Sequence, residues 1–580
     1  MRFRLAALVG IALACTSVAA SGNGAASLSP MSGGDRARLL EALECPEAIV
    51  DRLARAKAGE RADDVPPSGA VMCDLALDAL CTASPQSPVC GDRDRTGAYA
   101  GYYLMRYTMP VVAMTRAALR SRHPDAADDA ITDAGLESVF TILSLLSPEL
   151  DGCGNLPRVR TWCTVTADGP RAVEPHRAAV AYLASEGVRL LAECRARGAG
   201  CAQSGERLDA ALVRWFDVLL WDHALLGGTV LRNSLTQHVQ VPVPASVRLH
   251  RMRDAYEASP GHGPAFRFAT DGWWMAVAAN LLAVDALLDG EDDPRPVALT
   301  EVQRAALGNL VELGTQVLAH RAERTQLRDF EGAAAEGLQF DARLWDAHEY
   351  RRFSAVDSGP RPFSVVLDGS AGAATIVFAD GQARRAEGTG LDSGHYRRLT
   401  WLHYTLSDVQ RGLQSDWVSQ SALEGLANQF AYAVHWHDCH HRRAGGCDDA
   451  SPPDAPSVPR FLNYVSGQRG WYRLTPSEPC AAGVPPYGFS TMMTISENLW
   501  WAAFNADVAR IWGRLEAAVN DPQLPAPSSG DTVPCGEQAG TPHWHRTYRD
   551  TVLDADGRLT RHGLGFFAMK HWAGLALGRP

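Results

Sequence analysis

Residues 299–321 read LTEVQRAALGNLVELGTQVLAHR, in which Leu307, Leu310, Val311, Val317 and Leu318 recur at three- and four-residue spacing. That period places them on one face of an α-helix. It returns around residues 36–57, 99–121, 129–147, 172–196, 206–226 and 268–289, and again near 398–413, 416–437, 494–520 and 562–577. The intervening breaks carry residues that end helices: Pro124, Gly152-Cys153-Gly154, Gly198 and Gly200, Gly227-Gly228, Pro260-Gly261-His262-Gly263-Pro264 and Asp292-Asp293-Pro294. One stretch has a different rhythm. Phe363-Ser364-Val365-Val366-Leu367 and Thr375-Ile376-Val377-Phe378 are short apolar runs, closed by Asp368-Gly369 and Asp380-Gly381, which predicts a small β-hairpin. The expected fold is mainly α, an α/α toroid-like array of helical hairpins over residues 35–580, with a β-hairpin inserted at about 361–388. No fixed-period repeat is visible, which argues against a solenoid.

The N-terminus predicts export. Arg2 and Arg4 precede the apolar run Leu5 to Ala14 and the small residues Val18, Ala19 and Ala20, the layout of a signal peptide over residues 1–20 with cleavage after Ala20. Residues 21–34 read as a flexible linker. Cys15 after Ala12-Leu13-Ala14 offers lipoprotein anchoring as the lesser alternative, since Leu stands one place too late. No later stretch reaches roughly 18 uninterrupted apolar residues, so the mature chain is expected to be secreted or periplasmic, with no integral membrane segment. Cleavage removes Cys15 from the 13 cysteines and leaves an even set suited to disulfides in an oxidising compartment. Cys153 with Cys163, Cys194 with Cys201, and Cys439 with Cys447 are close enough to staple loops. The pairing of Cys45, Cys73, Cys81, Cys90, Cys480 and Cys535 stays open. A chain of 580 residues, 46% hydrophobic, can bury a core without such crosslinks. Its net charge of −11, without an arginine- and lysine-rich run among aromatics, argues against nucleic acid as a partner.

Two segments concentrate chemistry. Residues 392–404 begin Asp392-Ser393-Gly394-His395-Tyr396-Arg397-Arg398 and continue to His403-Tyr404, after a glycine-containing loop and at a helix start. Residues 232–238, Arg232-Asn233-Ser234-Leu235-Thr236-Gln237-His238, bring a cation, an amide and an imidazole within two turns. On Asn233, His238, Tyr396 and Arg397 the chain resembles the helical-toroid polysaccharide lyases of the alginate lyase and chondroitin lyase type. The resemblance implies β-elimination on an acidic polysaccharide or oligosaccharide, with Asn233 and Arg397 or Arg232 neutralising a uronate carboxylate, and His238 and Tyr396 moving the protons. Arg232, His395 and the adjacent rings Trp273 and Trp274 would bind substrate. No metal and no other cofactor is expected.

Each of these residues also has an ordinary structural use: Asn233 as a helix cap, His238 as a buried imidazole, Tyr396 as a core ring with its hydroxyl on a carbonyl. Asp217, Asp222, Asp271, Asp341, Asp346, Glu349 and Glu497 lie beside aromatics and keep open a glycoside hydrolase with paired carboxylates. The run His435-Trp436-His437-Asp438-Cys439-His440-His441 invites zinc, but His435 and His437 point apart on a helix and Cys439 has Cys447 near it. The remaining alternative is a non-catalytic exported binding or envelope protein.

Overall fold

The computed structural model describes residues 30–58, 70–90, 100–121, 126–148, 173–197, 205–220, 245–258, 268–289, 296–340, 391–436, 459–468, 496–521 and 548–577, together with short extended segments between them. The signal peptide, Cys15 and most of the linker lie outside these residues. The chain is mostly helical: α1 (Gly33–Leu43), α2 (Glu47–Lys57), α3 (Val71–Ala83), α4 (Ala100–Arg120), α5 (Ala126–Leu146), α6 (Glu174–Arg197), α7 (Gly205–Leu220), α8 (Ala245–Ala258), α9 (Trp273–Leu287), α10 (Glu301–Arg321), α11 (Tyr396–Leu413), α12 (Gln420–Asn428), α13 (Ala506–Asn520), α14 (Tyr548–Val552) and α15 (Arg561–Ala576). No helix among the described residues is long and apolar enough to cross a membrane.

Local chemistry explains where the helices differ from the periodic reading. The segment at 36–57 is two helices, parted at Cys45 and Pro46, and Pro46 occupies the N-cap of α2. The first of them starts at Gly33, where Ser32 and Asp35 form a capping box. Near 494–520 a 3-10 helix, Ser496–Ala503, precedes α13, whose N-cap Asn505 accepts from the Asp507 amide. Helix α3 has only a narrow polar stripe at Asp74 and Asp78, because every residue but Asp74 and Leu77 is buried.

The predicted hairpin is present as β3 (Phe363–Asp368) paired antiparallel with β4 (Ala373–Phe378). A second, unforeseen hairpin joins β1 (Ala322–Arg328) to β2 (Ala334–Phe340), turning through Gly332 at φ 84°. Asp329 holds that turn by accepting from the amides of Glu331 at 3.0 Å and Ala333 at 2.7 Å.

Four helices run side by side in the same direction. Gly101 meets His176 and Arg120 meets Glu193, so α4 and α6 are parallel. Arg177 lies over Trp274 and Ser185 meets Asn280, so α9 joins them; Arg397 meets Tyr102 and Asp408 meets Arg120, so α11 does too. Three of them fold back into an antiparallel neighbour: α4 into α5, α6 into α7, and α9 into α10, where Met275 lies against Gly314 and Asp285 against Arg304. Gly101 is required at its place, since a Cβ there would stand 2.4 Å from Val180 Cγ2 and 2.9 Å from His176 Nδ1. Within α4, Pro110 is buried and cannot donate to the carbonyl of Arg106.

Disulfides Cys45–Cys73 and Cys81–Cys90 tie α3 to its neighbours, resolving two pairings the sequence left open. Cys163 and Cys194 are also disulfide-bonded.

Candidate functional site

The four parallel helices bring their N-terminal ends together, and each contributes to one buried cluster. Helix α4 supplies Tyr102 and, one turn on, Arg106; α9 supplies Trp273; α11 supplies Arg397 and Arg398; α6 supplies His176, whose Nδ1 accepts from the Gly101 amide at 3.0 Å. Arg397 Nε donates to the Tyr102 hydroxyl at 2.5 Å. The guanidinium of Arg398 lies 4.9 Å from the centre of the same ring and 5.9 Å from Trp273, and Trp273 stacks on Tyr102 at 5.8 Å. Glu497, from the 3-10 helix, faces Arg106 at 3.7 Å.

The electrostatics are lopsided. Arg106 and Arg397 face Glu497, Arg398 adds a third guanidinium beside Tyr102, and the positive ends of four helix dipoles add to the same sign. Burial raises the pKa of Tyr102, but Arg397, Arg398 and Arg106 outweigh it, so the phenol ionises below its ordinary value although it is only 5% exposed. Burial and the neighbouring Arg397 lower Arg106. Glu497 is raised by burial, with Arg106 and Arg397 pulling the other way. The cluster approaches the surface at His395, 23% exposed, whose Nδ1 bonds Asp392, and at Tyr103, which packs beside Tyr102. Burial and Arg398 bring His395 down to about 4 against the opposing pull of Asp392, so its ring is neutral at neutral pH.

Five of the eight residues expected to line the lyase site lie among the described residues. Arg397 and His395 stand at this cluster, and Trp273 is the wall behind Tyr102 rather than an open platform, since both Trp273 and Trp274 are 0% exposed. Trp274 lies under Arg177. Tyr396, next to Arg397, turns the other way: it is fully buried, stacks on Phe430 at 5.8 Å and donates to the Leu426 carbonyl, so its hydroxyl faces the core. Arg232, Asn233 and His238 lie outside the described residues. Of the carboxylates beside aromatics, Glu497 is at the cluster, while Asp271 is paired with Arg248 at 2.6 Å. His435 is buried edge-on against Phe330 and Phe461.

Tyr102 and Arg106 were not anticipated. Their signal was an arginine one turn after a tyrosine pair in a largely apolar stretch, Tyr102-Tyr103-Leu104-Met105-Arg106, a charge on a face that should be buried.

Comparison with family models, with curated proteins and with solved structures finds no match to this chain.

Proposed function

We propose that this chain is an exported carbohydrate-active enzyme that cleaves acidic polysaccharide by β-elimination, with Tyr102 as the group that takes the proton. The observation that carries the reading is one phenol, hydrogen-bonded by Arg397 and flanked by Arg398 and Arg106, whose charges favour its ionised form. A uronate C5 proton is weakly acidic because the adjacent carboxylate resists further negative charge. Guanidinium groups answer that charge, and the phenolate takes the proton. The C5–H electron pair becomes the C4–C5 double bond, the C4–O bond breaks, and the leaving oxygen takes a proton, which Tyr102 returns if that oxygen leaves from the same face. The parallel helices with antiparallel partners support an α/α toroid with α4, α6, α9 and α11 as its inner wall. Export is supported by the leader-like first residues and by disulfides Cys45–Cys73 and Cys81–Cys90.

The test is to incubate the oxidised mature protein with alginate, pectate, hyaluronan, chondroitin and heparin and follow the ultraviolet absorbance of the conjugated double bond. Absorbance should rise with at least one, and Tyr102→Phe should cut that rate roughly a thousandfold. No rise on any of them sinks the elimination reading. New reducing ends without absorbance would move the assignment to a hydrolase, a reading favoured by the raised carboxyl of Glu497.

A further inference from the structure

The Tyr102 cluster lacks hydrogen-bond partners of both kinds. Among the described residues, Arg106 Nε and Nη2, Arg397 Nη1, Arg398 Nε and Trp273 Nε1 have no acceptor, and both carboxylate oxygens of Glu497 have no donor. Arg106 and Glu497 face each other at 3.7 Å, too far for a hydrogen bond. Arg106, Arg397 and Glu497 are all more than nine-tenths buried, where polar groups are almost always paired.

The two kinds of unpaired group define a complement. Unmatched N–H groups call for an anion rich in acceptors, and the surplus of arginine over carboxylate calls for negative charge. A bare carboxylate meets both needs but brings no donor for Glu497. A neutral sugar brings donors but no charge. We infer that the Tyr102 site binds a carboxylic acid that also carries hydroxyl groups, its carboxylate on Arg106 and Arg397 and a hydroxyl on Glu497. This rests on the reading of the cluster as the functional site and narrows what enters it. The unpaired atoms are closed to solvent, so binding requires the cluster to open, and Arg106 and Glu497 share no hydrogen bond that opening would break. The helix N-termini around the cluster favour the same charge.

The experiment titrates the oxidised mature protein with sodium glucuronate, sodium cyclohexanecarboxylate and glucose, using calorimetry and saturation-transfer NMR. Glucuronate should bind at least roughly tenfold more tightly than either of the others, each of which lacks one half of the complement. Equal affinity for the two acids, equal affinity for glucuronate and glucose, or no binding of any of the three overturns the inference. In folded Glu497→Leu protein, verified by circular dichroism, glucuronate should fall to the level of cyclohexanecarboxylate while the latter stays unchanged; a retained preference overturns the role of Glu497. The wild-type series decides the matter if that variant does not fold. Binding in the expected order without double-bond absorbance on any polysaccharide keeps this inference and removes the elimination reaction. Absorbance without preference between the acids does the reverse.

Discussion

Helices α4 and α11 meet at both ends, and the two meetings are chemically opposite. Toward their C-termini, Arg116, Arg120 and Arg189 face Glu186, Glu193 and Asp408, and each of these six charges has an opposite charge within 2.8 Å. Tyr404 accepts from Arg116 and Asn280 donates to Glu186, while Arg116 Nε, Arg189 Nε and Glu186 Oε2 are held by charge rather than by a hydrogen bond. Burial works against the carboxylates there, but Arg120 and Arg189 hold Asp408 well below its ordinary pKa, and Arg189 and Arg116 lower Glu186. Toward their N-termini, the shortest opposite-charge approach is 3.7 Å, and donors and acceptors are left over. With α6 contributing at both ends, the same residue types pair their charges within 2.8 Å at one end and leave them 3.7 Å apart at the other. A buried charge array that pairs internally is a structural element; the proposed ligand would complete the one that does not.

The sharpest way to break this contrast is to remove one charge from each end. Asp408→Ala strips a partner from both Arg120 and Arg189 and should cost about 3–5 kcal/mol in urea unfolding. Arg106→Met should stay within about 1 kcal/mol of wild type, because Glu497, already raised, can take a proton when its neighbour is lost. Comparable losses from the two variants would erase the distinction.

Titration separates the ends further. Burial brings His176 and His403 down to about 4, helped at His176 by Arg177 and opposed at His403 by the Leu399 carbonyl. Both are neutral in the fold and protonate more readily when it opens. Their contribution is complete above the ordinary histidine pKa and falls away as pH drops from about 6.5 to about 4, by on the order of 3 kcal/mol each. Asp408 behaves oppositely in range: its contribution is present above the ordinary carboxylate pKa and is lost only below it, as pH falls through its depressed folded value. Urea melts between pH 7 and pH 4.5 should therefore weaken in wild type and weaken less in His403→Phe. An unchanged slope would show that His403 ionises freely in the fold.

Gly101→Ala probes the open end through its backbone. The added methyl meets Val180 and His176, so a loss of about 1–3 kcal/mol is expected, and full stability would mean that α4 and α6 can separate there without penalty. The smallest effect belongs to Tyr396→Phe, which loses one hydroxyl bond to the Leu426 carbonyl, about 1 kcal/mol, and should leave double-bond formation intact. Loss of activity in that variant would return the proton-transfer role to Tyr396.

What could be read from the chain depended on the range of the signal. Helices with one broad wet face, such as α11, declare themselves by period, whereas α3 is buried almost all round and shows only a narrow polar stripe. The β1 strand Ala322-Glu323-Arg324-Thr325-Gln326-Leu327-Arg328 is mostly polar and continues directly from α10, so neither a break nor an apolar alternation marks it. At the candidate site, His395, Arg397 and Trp273 stood out for their local company. Tyr102 did not, because its partner Arg397 is 295 residues away and the contact exists only after α4 and α11 are laid side by side. Tyr396 and Arg397 looked equivalent as neighbours, yet consecutive residues on a helix point about 100° apart, and that angle sends one to the core and the other to the cluster.

Pro110 sits between the two ends of α4. In mechanical terms the helix is a rod with a joint: below it, Arg116 and Arg120 are bolted to the charges of two other helices, α6 and α11; above it, the turn bearing Tyr102 and Arg106 has lost one of the bonds that would stiffen it. A load applied at Arg106 meets the weakened turn before it reaches the bolts, so the proposed site stands on the more compliant half of the rod.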